Sequence, residues 1–398
     1  MDHPRRVPRT VWMLGAVSLF TDMSSELIHS VLPVYLTAVL GLSVLTVGII
    51  EGIAEATASI SKVLSGYVSD RFARRKPLVL LGYGLAALTK PVFPLADSAL
   101  GVVAARFVDR IGKGIRGAPR DALVADVTPP ELRDAAYGLR QALDTVGAFV
   151  GPLLAMLFLW LWANDLRAVL WVAVVPAFVA VALIVFGVRE PAAAPARSAS
   201  AARLRLSGAG ALPPVYWRLV LLAALFAMAR VSEAFLVLRG QEIGLPLPWI
   251  PMVMIVMSAV YSLSAYPAGV LATQLGRSAL LAASLVALLA AQVSLAALPG
   301  SAGLWLGAGL WGLHMGLSQG GLAAAVAEVA PAALRATAFG VFHFATGIFQ
   351  LASGALAGWL WTRYGSAAAF ASGAAWALLA LPMVVTWLSR RAAPGATR

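Results

Sequence analysis

The chain has 398 residues, 60% of them hydrophobic and only 12% charged, with a net charge of +12 and a mean hydropathy of +0.84. A soluble protein carries about 25% charged residues; no soluble core could hide this much apolar surface, so lipid must cover the excess. Cysteine is absent, which excludes disulfides and thiol-ligated metals, and the basic excess needs no nucleic acid, because Lys and Arg collect in the cytoplasmic loops of membrane proteins.

A helix needs about 20 apolar residues to cross the hydrocarbon core. The first such run starts at Val11, behind Arg5, Arg6 and Arg9, and is too long for a signal-peptide core. Spans are expected at roughly 11–39, 44–69, 77–96, 99–126, 134–162 and 167–188. A second set follows at roughly 216–240, 249–273, 277–297, 301–329, 335–362 and 366–389. The expected organisation is an N-terminal six-helix bundle over 1–189, a cytoplasmic Ala/Pro/Ser/Arg-rich linker over 190–215 and a C-terminal six-helix bundle over 216–398. Arg71, Arg74, Arg75, Lys76, Arg133, Arg189, Arg277, Arg335 and Arg390 fall on one side of this scheme. The other side holds little beyond Asp97, Asp165, Arg167, Glu242 and Arg363. Both termini are therefore expected in the cytoplasm, in an all-α membrane protein of about twelve transmembrane helices.

The two sets repeat. Val124-Ala-Asp126-Val-Thr-Pro129 and the following Leu132-Arg133 match Val326-Ala-Glu328-Val-Ala-Pro331 and Leu334-Arg335 without a gap. Gly66 and Arg74 are echoed by Gly269 and Arg277. Two pseudo-symmetric halves of this kind place a solute site between them near mid-membrane, where rocking alternates access.

Residues Gly66-Tyr-Val-Ser-Asp70-Arg71-Phe-Ala-Arg74-Arg75 resemble the cytoplasmic loop signature of the major facilitator superfamily, G-x-x-x-D-[RK]-x-G-[RK]-[RK], with Ala73 in place of a glycine. The resemblance extends over essentially the whole chain. It implies that fold, no enzyme activity, and a gating role for Gly66, Asp70, Arg71, Arg74 and Arg75. An acid at a helix end beside arginines can pair in one conformation and release in another. In the fourth span Arg110-Ile-Gly-Lys113-Gly114 is similar to the R-x-x-x-G motif of the family, which implies contact of Arg110 with protons or solute. In the fifth span Gly138, Gly147, Gly151 and Pro152 resemble the pattern of the drug:proton antiporter branch, although Ala155 and Met156 replace its final glycine pair. Helix packing is the competing explanation for those glycines. Gly112-Lys-Gly114-Ile-Arg-Gly117 formally satisfies G-x-G-x-x-G, but it lies inside an apolar span with no strand before it, so no nucleotide cofactor follows.

Ionisable groups within spans are costly and face inward. The first span carries Asp22, Glu26 and His29 on one face, and the second carries Glu55. The fourth carries Arg106, Asp109, Arg110, Lys113, Arg116 and Arg120; the seventh carries Arg230 and Glu233; His314 and His343 follow. The expected proton and substrate cavity is lined by Asp22, Glu26, His29, Glu55, Arg106, Arg110, Lys113, Arg230, Glu233, His314 and His343, with Glu26 or Asp22 exchanging the proton. Static pairing of the same residues is the alternative. The function expected is proton-coupled secondary transport in a bacterial plasma membrane by a lipid-embedded monomer. Export of a small organic solute or drug leads; proton symport of an anionic metabolite or chelate is the alternative, and export of a divalent metal at Asp22, Glu26 and His29 is less favoured.

Overall fold

The computed structural model describes the backbone of residues 7–71, 75–190, 210–318, 321–331 and 334–392, without the side chains of 66–71, 273, 336 and 387–392. Helices dominate, because backbone amides in lipid must be satisfied within their own segment. In chain order they are α1 (Arg9–Val34), α2 (Val44–Arg71), α3 (Lys76–Thr89), α4 (Val92–Leu95), α5 (Ala99–Val127), α6 (Arg133–Leu161), α7 (Leu166–Val172) and α8 (Val174–Ala182). Then come α9 (Pro214–Ala229), α10 (Ala234–Glu242), α11 (Met252–Leu275), α12 (Arg277–Ala297), α13 (Gly300–Ser318), α14 (Gly321–Val329), α15 (Arg335–Tyr364) and α16 (Ser366–Ala392). They form the twelve spans read from the sequence, in two six-helix halves. Pro91 divides α3 from α4 within the third span, as a missing amide donor should. One-residue joints at Gly276 (φ +81°) and Gly365 (φ +87°) let α12 and α16 start at once, in a conformation that residues with a Cβ rarely adopt.

The seventh span departs from expectation. It was expected to run unbroken over 216–240, yet it is interrupted at residues 230–233, where Arg230 takes φ −87° and ψ 86°. No Pro or Gly causes this. Instead, neighbouring helices hold the freed carbonyls: Gln292 Nε2 donates to the Ala229 carbonyl at 2.8 Å, and Ser353 Oγ to that of Met228 at 3.0 Å. Gly373 leaves room for the Gln292 amide, which a Cβ there would strike.

Two compact units emerge. The first comprises Met1–Gly41 and Ile53–Ala201, the second Leu42–Gly52 and Ala202–Arg398. The opening turns of α2 thus cluster with the second unit, where Gly48 abuts the Gly354 carbonyl of α15. Packing repeats between the units. In the first, α1 lies on α6 and α8, and α3 on α5 and α8; in the second, α9 lies on α15 and α16, and α12 on α13 and α16. Glycines bring backbones close where no hydrophobic effect between helices is available. Gly114 of α5 meets Ser61 of α2, and Gly316 of α13 meets Ser264 of α11, at corresponding positions of the repeat.

Among the described residues nine helical stretches are long and apolar enough to cross a membrane. Of the twelve spans, α1, α5 and the pair of helices α13 and α14 are absent from that set. Of these, α1 and α5 carry much of the polar chemistry.

Candidate functional site

In the first unit α1, α2, α3 and α5 bring a chain of charged groups together. Lys90 Nζ of α3 and Asp109 Oδ1 of α5 form a buried ion pair at 2.9 Å, with Ser25 Oγ of α1 a further 3.3 Å contact for the ammonium. Arg110, 1% exposed, is the hub. Its guanidinium lies 3.6 Å from Glu55 Oε1, 3.8 Å from Asp109 Oδ2, and hydrogen-bonds His29 Nε2. A guanidinium can only donate, so His29 accepts through Nε2 and carries its proton on Nδ1. That nitrogen faces Glu26 Oε1 at 3.4 Å, one turn back on α1. The result is a continuous line, Glu26–His29–Arg110–Glu55, crossing three helices.

Lower on α5, Arg116 is buried with its guanidinium 4.6 Å from the centre of the Tyr83 ring, and Arg120 donates to Ser18 Oγ at 3.2 Å. Arg106 is buried, and Lys113 is exposed. Asp22 lies within electrostatic reach of Arg116, Lys113, Glu26 and Asp144. Among the described residues no three His, Asp or Glu side chains are grouped to hold a metal ion. Asp22, Glu26 and His29 share a face without converging on one point.

The second-unit residues have their own neighbours. Arg230 pairs with Glu233 at 2.8 Å across the interruption of the seventh span. His314 is buried and its Nδ1 donates to the Ser284 carbonyl at 2.9 Å, tying α13 to α12. His343 packs against the rings of Phe339 and Phe342.

Of the gating signature, Gly66, Asp70, Arg71 and Arg74 lie outside the described residues or side chains. Arg75 is described: it pairs with Asp126 at 3.1 Å, and its backbone amide donates to the Glu190 carboxylate. Beside it, Lys76 Nζ donates to the Val188 carbonyl at 2.7 Å. The second unit holds a counterpart in the ion pair of Arg277 with Glu328, the residue that matches Asp126 in the repeat.

In the fifth span, a Cβ on Gly147 would strike the Leu19 carbonyl oxygen, and one on Gly151 that of Met23. Both glycines therefore seat α6 against the helix that carries Asp22 and Glu26. Gly138 faces open space, and Pro152 is buried within α6. Lys90 is the member of the cluster that the sequence does not single out: it stands alone on the third span, with no second ionisable group beside it to mark a polar face. Gln292, Ser353 and Tyr83 carried no signal in the sequence at all.

A family model of the Major Facilitator Superfamily matches residues 14–252. The chain belongs to the major facilitator superfamily. An uncharacterized MFS-type transporter of Methanocaldococcus jannaschii is 31% identical over 385 residues, 94% of this chain and 95% of that protein. The multidrug resistance protein MdtH of Proteus mirabilis is 30% identical over 133 residues, about a third of each chain (33% and 32%). Among solved structures, a POT family transporter in complex with a thioalcohol-conjugated peptide superposes with a TM-score of 0.78 at 15% identity, covering 96% of both chains. That likeness speaks to the fold of this major facilitator. It is a multi-pass membrane transporter for a small solute.

Proposed function

We propose that this major facilitator is a proton-coupled secondary active transporter that moves a small organic solute across the plasma membrane by alternating access, with both termini in the cytoplasm and the monomer as working unit. The observation that carries this reading is the line Glu26–His29–Arg110–Glu55. Placing ionisable groups at membrane depth costs roughly 2.5–3.5 kcal/mol each even on lenient scales, and this line combines proton acceptors with a base that responds to their charge. Glu26 and Glu55 keep 24% and 37% of their side-chain surface uncovered by protein. Asp22 and Glu26 take up the proton, and Arg110 reads the state of Glu26 through His29. The termini are assigned from the one-sided distribution of arginines.

Export in exchange for protons is supported by the loop signature, the repeat and the fifth-span glycine pattern, of which only the last bears on the antiporter branch. The close approach of α6 to α1 accounts for Gly147 and Gly151 without it, so the sign of coupling is better taken from the charge of the solute.

The test uses purified protein in sealed proteoliposomes carrying a pH-sensitive dye. A panel of labelled solutes is offered with and without an imposed proton gradient. Flux of at least one solute should follow the gradient, collapse with a protonophore, and vanish in Glu26→Gln while that variant elutes and melts as the parent does. Flux indifferent to the gradient, or intact coupling in both Glu26→Gln and Asp22→Asn, would remove the proton mechanism.

A further inference from the structure

The bases of the first-unit cluster are not equally occupied. Lys90 is engaged by Asp109, Arg110 by Glu55 and His29, and Arg120 by Asp121 at 3.1 Å and by Ser18. Lys113 and Arg116 differ. Among the described residues neither has a carboxylate within ion-pair distance, although both lie on the polar face of α5. Arg116 is 6% exposed, and one of its terminal nitrogens is buried with no hydrogen-bond partner. Its guanidinium is held by the Tyr83 ring, and its backbone is fixed by Gly82, whose missing Cβ lets α3 close on α5 at this level. Lys113, one turn away, is exposed. A planar donor fork held in place beside an exposed ammonium is the arrangement that receives an oxyanion.

We infer that the stretch of α5 bearing Lys113 and Arg116, across from Asp22 of α1, binds an acidic group of the transported solute, so that the solute is an organic anion and travels in the same direction as the protons. This rests on the proton-coupled reading above. The sign of coupling follows from the groups within electrostatic reach of Lys113 and Arg116: Asp22, Glu26 and His29 on α1, Glu55 on α2, Tyr83 on α3 and Lys90 just after it, and Arg110 on α5, with Asp144 of α6 beside Asp22 and Arg106 of α5 beside Glu26. While Asp22 and Glu26 are ionised they act as distant counter-charges to Lys113 and Arg116 and repel an arriving oxyanion. Protonating them removes both effects. Each ligand therefore raises the affinity for the other, by the same factor in both directions. A cationic solute would behave oppositely, competing with the proton for the carboxylates.

The experiment uses the full-length chain in detergent at low buffer strength, with succinate, citrate, benzoate, glycerol 3-phosphate and ethidium as probes. Binding is read from the shift in Tm and, in parallel, from a pH electrode. At least one of the four anions should raise the Tm, more at pH 6 than at pH 8, with net proton uptake as it binds. Carboxylates and the phosphate ester are separated by which of the four does so. Lys113→Gln and Arg116→Gln should each weaken that binding at least tenfold, and Arg116→Lys, which keeps the charge, should weaken it less. Stabilisation by ethidium with proton release, silence from all four anions, or anion binding undiminished in both Gln variants would overturn the subsite. Anion binding that depends on Lys113 and Arg116 but moves no protons would instead keep the subsite and remove proton coupling.

Discussion

The fourth span and its counterpart in the repeat, the tenth, solve the same packing problem with opposite chemistry. Both end in Val-Ala-acid-Val, and both press a glycine, Gly114 or Gly316, onto a serine of a neighbouring helix. The offset that carries Val124 onto Val326 also carries Arg106, Asp109, Arg110, Lys113, Arg116 and Arg120 onto Ala308, Trp311, Gly312, Met315, Ser318 and Leu322. The tenth span packs against the ninth as the fourth packs against the third, without any of those charges. The fold does not need them. Their cost is carried for something other than architecture, which is the strongest reason to place solute and proton chemistry on α5.

That contrast can be broken most forcefully at the Lys90–Asp109 pair. Asp109→Asn strands a buried ammonium and should cost about 3–5 kcal/mol, whereas the double change Lys90→Leu with Asp109→Leu should stay near parental stability. Tryptophan-fluorescence melts in detergent decide it; a single variant as stable as the parent would show that the pair is not enclosed. Next comes the hub. Arg110→Lys keeps the charge, but one ammonium cannot span His29, Glu55 and Asp109, so proton-driven flux should fall tenfold or more, equivalent to about 1.4 kcal/mol, with little change in melting. Gly114→Ala and Gly316→Ala then compare the two packings directly, each expected to cost about 1–3 kcal/mol. Gly114→Ala should cost more, because its new methyl meets the fixed Cβ of Ser61 and then the backbone of Ser61 and Lys62, while that of Gly316 first meets the rotatable Ser264 hydroxyl. Equal or reversed losses would undo that distinction. The smallest effect belongs to the exposed pair of Arg277 with Glu328, 50% and 42% exposed. Arg277→Gln should shift stability by less than about 1 kcal/mol; a larger loss in the same melts would give the pair a structural role.

Spans, repeat and family signature were legible in the sequence because each is local: length, hydropathy and spacing suffice. The polar face of α1 and that of α5 were equally legible, since a period of about 3.6 residues places Asp22, Glu26 and His29 together. Which acid meets which base was not. Glu55 and His29 occupy Arg110, and Asp109 is drawn to Lys90, a lone ionisable residue of the third span. The interruption at Arg230 was also invisible, because Ala229-Arg-Val-Ser-Glu-Ala234 contains no helix breaker. Its carbonyls are satisfied by Gln292 and Ser353, some 60 and 120 residues further along the chain. A helix end that depends on donors from other helices is a tertiary fact.

The two most polar of the helices absent from the apolar set, α1 and α5, bear on how the chain is made. A nascent segment leaves the translocon for lipid according to its own hydrophobicity, and α5, with Arg106, Asp109, Arg110, Lys113, Arg116 and Arg120, has little incentive to leave alone. Asp109 and Arg110 find partners on α1, α2 and α3, all synthesised earlier. α5 should therefore stay beside the insertion machinery until it docks on those helices, and enter the bilayer as part of one neutralised group. Removing its partners together, by His29→Ala, Glu55→Gln and Lys90→Leu, should prolong crosslinking of α5 to the translocon. Release as prompt as in the parent chain would show instead that α5 settles in lipid unaided.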